Sequence, residues 1–235
     1  MRALPSLRAV AHIRTDFPDK FGVPRQSGLA DELRGRVVFE KPFRVPEAVR
    51  GLEGYSHLWL LWLFSRTVGE WTPTVRPPRL GGNARVGVFA SRSPHRPNPI
   101  GLSCVRLERI DYDNGPTLYV RGADLVDGTP IVDIKPYVPY ADCRPDATGG
   151  YAVGPGEGEL TVEASPQTLS LLPPDKRAAL LRVLALDPRP GYQHDPERIY
   201  GLRFAGLDVR FWVQGETLRV LSAQPDENAK EKTDD

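Results

Sequence analysis

The sequence predicts a mostly β protein: an all-β barrel or sandwich followed by a smaller α+β region. Three observations carry this. Short apolar segments of strand length follow one another through the first part of the chain, at intervals suited to a closed or two-layered sheet. Pro 24 and Gly 22 together make about a fifth of the 235 residues and cut those segments apart. Beyond residue 143 the composition shifts, first to a Gly- and Pro-rich stretch and then to helical spacing.

In chain order, Ala9–Arg14 and Arg36–Glu40 read as the first two strands. Pro46–Leu52 reads as one or two helical turns, and Ser56–Phe64, an aromatic-aliphatic run, as a buried strand. Ala84–Ala90, Gly101–Ile110, Thr117–Arg121 and Val132–Ile134 follow as strands. Asp113-Asn114-Gly115 is a tight-turn signal, since Asn and Gly tolerate the positive φ such turns require. Residues 144–158 read as a linker or long exposed loop. Pro174–Leu186 then places Ala179, Leu180, Val183 and Leu184 at helical spacing behind Pro173-Pro174 and ahead of Asp187-Pro188. Arg198–Phe204, Asp208–Val213 and Leu218–Leu221 are strands, and the charged segment Asp226–Asp235 is a disordered tail.

With a net charge of +1 the chain is no polycation, so any affinity for nucleic acid must come from a local patch. Cys104 and Cys143 lie far apart with no metal-type spacing; they read as reduced thiols in a cytoplasmic protein. The first ten residues lack a secretory signal, and the run Leu58–Phe64 is too short to span a bilayer. Neither a membrane nor a metal is expected. No zinc pattern, Gly-x-Ser-x-Gly or Walker loop occurs, and Gly81-Gly82-Asn83 is followed by no helix, which excludes a dinucleotide fingerprint.

Residues 79–103 are the most informative stretch. Arg92, His95 and Arg96 stand among Pro94, Pro97 and Pro99, which fix φ and restrict their neighbours, so little freedom is left to lose on binding. From Trp71 to Leu107 there is no Asp or Glu, while Arg76, Arg79, Arg85, Arg92, Arg96 and Arg106 are present. Arg suits planar, bidentate recognition of phosphate or carboxylate, so the loop reads as a preformed anion site rather than scattered surface charge. A second constellation spans Ala123–Asp142. Asp127-Gly128-Thr129-Pro130 is a turn whose backbone groups are free to grip a polar ligand. Asp133 and Lys135, two apart in an extended segment, share one face, with Ile134 turned to the core. Beside Tyr137 and Tyr140 they suit a base or phosphate grip; the plain alternative is a surface ion pair with two packed tyrosines. Lys20–Gly28 is a loop fixed at Pro24 that presents Arg25 and Gln26. His57 reads as a core or rim histidine satisfied by a backbone carbonyl.

These residues carry a resemblance. Pro24-Arg25-Gln26, Ser56-His57-Leu58-Trp59, Arg76–Gly82, Gly87–Gly101 and Asp124–Pro130 occur in order, and the chain resembles the TsaA-like proteins, also called TrmO. The resemblance is dense over residues 8–142; Asp187-Pro188-Arg189-Pro190 and Tyr200–Val213 are similar to the family's bacterial C-terminal extension. It implies a non-Rossmann β-barrel methyltransferase, usually a homodimer, which uses S-adenosylmethionine to N6-methylate threonylcarbamoyladenosine next to the anticodon of tRNA (t6A to m6t6A at position 37). It implies a catalytic barrel domain over 1–143, a C-terminal α+β extension over 144–225 and a disordered tail over 226–235. It also implies cofactor contacts from Pro24, Arg25, Gln26, Ser65, Arg66, Arg92, Leu102, Leu125, Val126, Asp127, Gly128 and Thr129. Ser65-Arg66 depart from the His-Gln that many relatives carry there.

On this reading Asp133 accepts or relays the proton of the attacking nitrogen, with Lys135 and Tyr137 completing the catalytic set. His95, Arg96, Asn98 and Tyr140 hold the substrate, the cations on its carboxylate or a phosphate and the tyrosine on the base. Two rivals are a non-catalytic RNA-binding module and a metal-dependent hydrolase using His57, Asp127 and Asp133.

Overall fold

The computed structural model describes residues 6–67, 69–81, 83–152, 158–190, 195 and 197–228. Strands β1 (Ala11–Arg14), β2 (Arg34–Phe39), β3 (His57–Leu63), β6 (Ile100–Asp111), β7 (Thr117–Arg121) and β8 (Pro130–Pro136) close into a barrel in the order β1-β2-β7-β6-β3-β8. Every pairing in it is antiparallel. Barrel rather than sandwich is therefore the outcome.

Alternation explains the wall. Along β3, Leu58, Leu60 and Trp62 point inward, while His57, Trp59, Leu61 and Leu63 point outward. The inward set joins Ala11, Ile13, Val37, Val105, Leu118, Val120 and Ile131 in one core cluster. Each large apolar side chain buried in this way contributes about 1.5–3 kcal/mol.

The expected strand Ala84–Ala90 is mostly not one. Only Val86–Gly87 (β5) pairs, with Thr74–Val75 (β4), and Val88–Ala90 winds into a 3₁₀ turn. That turn buries Val88 and leaves Phe89 75% exposed, so the apolar residues there do not share a face.

Beyond the barrel, α1 (Pro139–Asp142) is followed by β9 (Thr161–Glu163), α2 (Pro166–Ser170), α3 (Pro174–Ala185), β10 (Tyr200–Phe204), β11 (Leu207–Gln214) and β12 (Thr217–Pro225). The last three strands form an antiparallel meander, and β9, α1 and α2, which short polar sequence concealed, were not expected. β9 adds to β12 in parallel. Helix α3 lays Ala179, Leu180, Val183 and Leu184 on this sheet as its spacing requires. The same core takes in Phe17, Ala30 and Leu33 from the segment between β1 and β2. Gly22, at φ +83°, lies so close to Leu202 on β10 that a Cβ there would overlap it. Residues Asp226 to Asn228, expected to open a disordered tail, are ordered: Asp226 is buried and receives the Arg203 guanidinium at 2.7 Å. The rest of that expected tail, 229–235, lies outside the described residues.

Candidate active site

All six barrel strands bring one end to the same rim, and the segments joined there enclose a cavity of about 830 Å³. Pro24, Arg25 and Gln26 line it from the segment between β1 and β2, and Ser65 and Arg66 follow β3. Arg92, His95 and Arg96 come from the proline-rich loop, Leu102 from β6, and Leu125, Val126 and Thr129 from the turn before β8. Stretches up to about a hundred residues apart in sequence thus converge on one volume.

The arginines of the rim spend their donors mainly on the protein. Arg66 donates to the carbonyl of Pro18 at 2.7 Å and of Asp127 at 3.1 Å, clasping two loops. Arg96 donates to the Ser91 and Ser93 carbonyls, and its guanidinium lies 5.9 Å from the Phe89 ring centre. Arg92 donates to the Gln26 amide oxygen. The loop carrying Gln26 is pinned in turn, because Ser27 Oγ accepts from the Cys104 amide and Gly28 N donates to the Gly122 carbonyl. Arg25 reaches the Arg189 carbonyl at 3.4 Å. The side chains of Lys20 and His95 make no hydrogen bond with other described residues, so with Arg25 they are the polar side chains most available to a ligand.

Two carboxyls line the cavity, Asp19 near its edge, where it faces Arg203 at 3.6 Å, and Asp124 in the buried wall. Trp62 Nε1 donates to Ser103 Oγ at 2.9 Å, and Ser103 Oγ donates to Asp124 Oδ1 at 2.5 Å. Ser103 is fully buried, so this chain is fixed inside the barrel end. Burial pushes the Asp124 carboxyl above the ordinary carboxylate range, against the opposing pull of the Ser103 hydrogen bond and the Arg92 charge. Asp124 was not singled out from the sequence; neither were Asp19, Lys20, Trp62 and Ile100, which also line the cavity. The only signal for Asp124, Lys20, Trp62 and Ile100 was membership of the segments already marked, and Asp19 lies just before the Lys20–Gly28 loop.

Asp127 takes a different place from the one expected. Its carboxylate accepts from the Thr15 amide at 3.1 Å and faces Arg14 at 3.6 Å, on the far side of the turn, and only its carbonyl reaches Arg66. Residues Leu125 and Thr129 are buried at either end of the turn, and contacts to Ser103 and Thr15 hold Asp124 and Asp127 on opposite sides of it. Gly128, at φ +77°, forms the turn without lining the cavity.

Asp133, Lys135 and Tyr137 also lie outside the cavity. Asp133 and Lys135 do share a face and pair at 2.9 Å, and Ile134 packs against the core, but the shared face is the outer wall. There Asp133 stands beside Leu61 and Lys135 beside Trp59. Tyr137 packs on Trp59 and His57, with ring centres 5.7 and 6.2 Å away, and Tyr140 is 89% exposed. Asn98 sits in the loop without lining the cavity. His57 is met by the Ser56 hydroxyl at 2.9 Å rather than by a backbone carbonyl. Among the described residues no group of three or more His, Cys, Asp or Glu is placed to hold a metal ion.

A family model for the tRNA-methyltransferase O N-terminal domain matches residues 12–143, and one for the C-terminal domain of the same family matches residues 159–226. The chain belongs to the tRNA-methyltransferase O family. It is 44% identical over 223 residues to the tRNA (adenine(37)-N6)-methyltransferase of Escherichia coli K12, covering 91% of this chain and 95% of that protein. It is likewise 44% identical to a putative S-adenosylmethionine-dependent methyltransferase, RcsF, of Pseudomonas aeruginosa, over 92% of this chain and 96% of that one. The crystal structure of TrmO from Pseudomonas aeruginosa superposes with a TM-score of 0.77 at 38% identity, covering 94% of this chain and 99% of that one. The barrel family and its C-terminal portion thus extend across almost the whole chain.

Proposed function

We propose that this protein is an S-adenosylmethionine-dependent tRNA methyltransferase that converts t6A to m6t6A at position 37. Family membership and the names of its relatives support the methyltransferase and tRNA parts of this reading. The observation that carries it in this chain is the barrel-end cavity, where the family's motifs meet around Asp124. Its volume lies in the range of small-molecule sites. Its lining suits the cofactor: Trp62, Phe64 and Leu125 offer apolar faces for the adenine, Arg25 and Lys20 offer cations for the carboxylate, and Asp19 offers an anion for the ammonium.

The cofactor supplies a methyl group already activated on a sulfonium. The protein's task is to position the substrate nitrogen and take up its proton. Pre-set loops do the first, since Arg66, Arg92 and Arg96 already hold the rim in place and little ordering cost falls on binding. For the second, we assign Asp124 as general base in place of Asp133. It lies in the cavity, and its raised pKa brings a carboxylate closer to the basicity a proton acceptor needs. His95 then faces the threonylcarbamoyl carboxylate.

The homodimer belongs to the same proposal. Leu61 on the outer wall adjoins Leu102, which is 47% exposed and also lines the cavity. A second copy on this wall would cover the apolar patch and set its own Asp133, Lys135 and Tyr137 near the first copy's cavity. The two free cysteines fit a reducing, cytoplasmic setting.

Mass spectrometry of nucleosides, after purified protein is incubated with S-adenosylmethionine and t6A-containing tRNA, tests this. m6t6A should accumulate with protein concentration. A chain whose melting temperature ignores S-adenosylmethionine and which yields no methylated nucleoside would be an RNA-binding module instead.

A further inference from the structure

The outer wall of β1, β2, β7 and β6 carries arginines in adjacent register positions. Arg14 on β1 stands directly opposite Arg36 on β2, and Arg34 on β2 opposite Arg121 on β7, which in turn stands opposite Arg106 on β6. Like charges directly across a strand pair destabilise a sheet, and a wall selected for folding alone would interleave acids. Between the two rows lies Tyr119, the register neighbour of both Arg36 and Arg109, with the Arg109 guanidinium 3.3 Å from its ring centre.

The acids near this wall engage its rim. Asp127 faces Arg14 at 3.6 Å, and Glu108 and Asp175 face Arg34 at 3.3 and 3.9 Å. Among the described residues, Arg36, Arg106, Arg109 and Arg121 have no carboxylate within 4.0 Å. A polar groove of about 610 Å³ runs over the wall; Arg14, Arg34, Arg36, Arg109, Lys176 and Tyr119 line it together with Asp16, Glu108, Asp127 and Asp175. Each of these acids is paired with Arg14, Arg34 or Lys176, which leaves Arg36 and Arg109 as its guanidinium groups without a carboxylate partner among the described residues. Four strands make the patch roughly 14 Å across. The turn 125–129 is its border with the barrel-end cavity: the Asp127 carboxylate lies on the arginine side, and the Asp127 carbonyl is bound to Arg66 on the cavity side.

We infer that this arginine wall is a docking surface for the phosphodiester backbone of RNA, leading to the cavity mouth. The inference rests on the tRNA reading above and supplies what the cavity lacks, a hold on nucleotides remote from the reacting base. The chemistry favours RNA over a lipid surface. The cations on the strands are guanidinium forks suited to phosphate, an aromatic ring stands among them, and no exposed large aliphatic residue lies on the outward positions of β2 or β7.

The test replaces Arg36, Arg106 and Arg109 together by alanine in the full chain, with a matched set of lysines as the second variant. Affinity for t6A-containing tRNA is measured across a salt series, alongside kcat, KM and the S-adenosylmethionine dissociation constant. The slope of log affinity against log salt should fall by about 2 to 3 for the alanine set, since each lost phosphate contact removes about 0.7–0.9. KM for tRNA should rise about tenfold or more, with kcat and cofactor affinity unchanged and the melting temperature equal or higher. The lysine set, which keeps the charge, should retain the wild-type slope. A wild-type protein that methylates tRNA, paired with an alanine variant of unchanged slope and KM, overturns the wall and leaves the tRNA reading standing. A wild-type protein that neither binds nor methylates tRNA overturns both.

Discussion

Gly101 makes the barrel end testable by a single methyl group. It sits against the indole of Trp62, so that a Cβ placed there would lie 2.6 Å from Trp62 Cδ2 and nearer still to Cε2 and Cζ2. To regain ordinary carbon contact the ring must retreat by roughly 1 Å. Trp62 is only 9% exposed, so it retreats into packed neighbours, an overpacking cost of about 1–3 kcal/mol. The same movement draws Nε1 away from Ser103 Oγ, now 2.9 Å distant, and a lost hydrogen bond between buried partners adds about 1 kcal/mol. Gly101→Ala should therefore cost about 2–4 kcal/mol, which lowers the melting temperature of a chain this size by roughly 4–16 °C. Because Trp62 also walls the cavity, calorimetry should show S-adenosylmethionine affinity down about tenfold. Gly87→Ala, where the added methyl meets open space, is the matched control and should be neutral. A Gly101→Ala protein that melts with the wild type and binds the cofactor equally well would show that the Trp62–Ser103–Asp124 chain does not organise the site.

Asp124→Asn should reduce kcat by about 10²–10⁴ while leaving the cofactor dissociation constant nearly unchanged. Since burial raises the Asp124 pKa, the wild-type kcat/KM profile should fall on its acid side at a pH above the ordinary carboxylate value, and the variant should lack that limb; an identical limb in both assigns it elsewhere. Arg66→Ala frees the Pro18 and Asp127 carbonyls and should weaken cofactor binding, with Arg66→Lys restoring little because an ammonium cannot fork to both; titration calorimetry reads the difference. Asp187 is raised by burial but lowered further by the Arg189 fork, for a net depressed pKa. A depressed folded-state pKa contributes stability above the unfolded value of about 3.9, lost as pH falls through that value and below. Asp187→Asn, which keeps a residue tolerant of the φ of 52° found there, should thus be less stable than wild type at neutral pH, with the gap closing below about pH 4 in urea titrations.

The strand sequence was readable because periodicity is local. The continuous apolar run Leu58–Phe64 read as a buried strand, and period-2 spacing put Asp133 and Lys135 on one face; the structure agrees on both counts and adds that Leu58, Leu60 and Trp62 are the inward set. What alternation cannot supply is which face looks at which neighbour. The Asp133–Lys135 face turns out to be the outer wall, a fact set by barrel closure between β3 and β8. Motif residues 24–26, 92–96 and 125–129 were legible as site segments and do converge. Around the last, nothing local separates Asp124 from Asp127; only the path of the turn, fixed by contacts to Thr15 and Ser103 from distant parts of the chain, sends one inward and the other out. The stretch Ala84–Ala90 misled because its valines and phenylalanine mimic a strand, while the Pro73 carbonyl captures the Val88 amide and bends the chain.

The joint core of Phe17, Ala30 and Leu33 with α3 and β10–β12 has a consequence for anyone trimming this molecule. The arc that bears Pro24 and Arg25 is roofed by residues contributed more than a hundred positions later, and Gly22 is moulded to Leu202. Cutting at the Gly-rich stretch near residue 150 would not release a self-sufficient catalytic half. It would strip the packing from the cavity-lining arc, so a shortened chain should precipitate or bind S-adenosylmethionine more weakly even with every barrel strand intact.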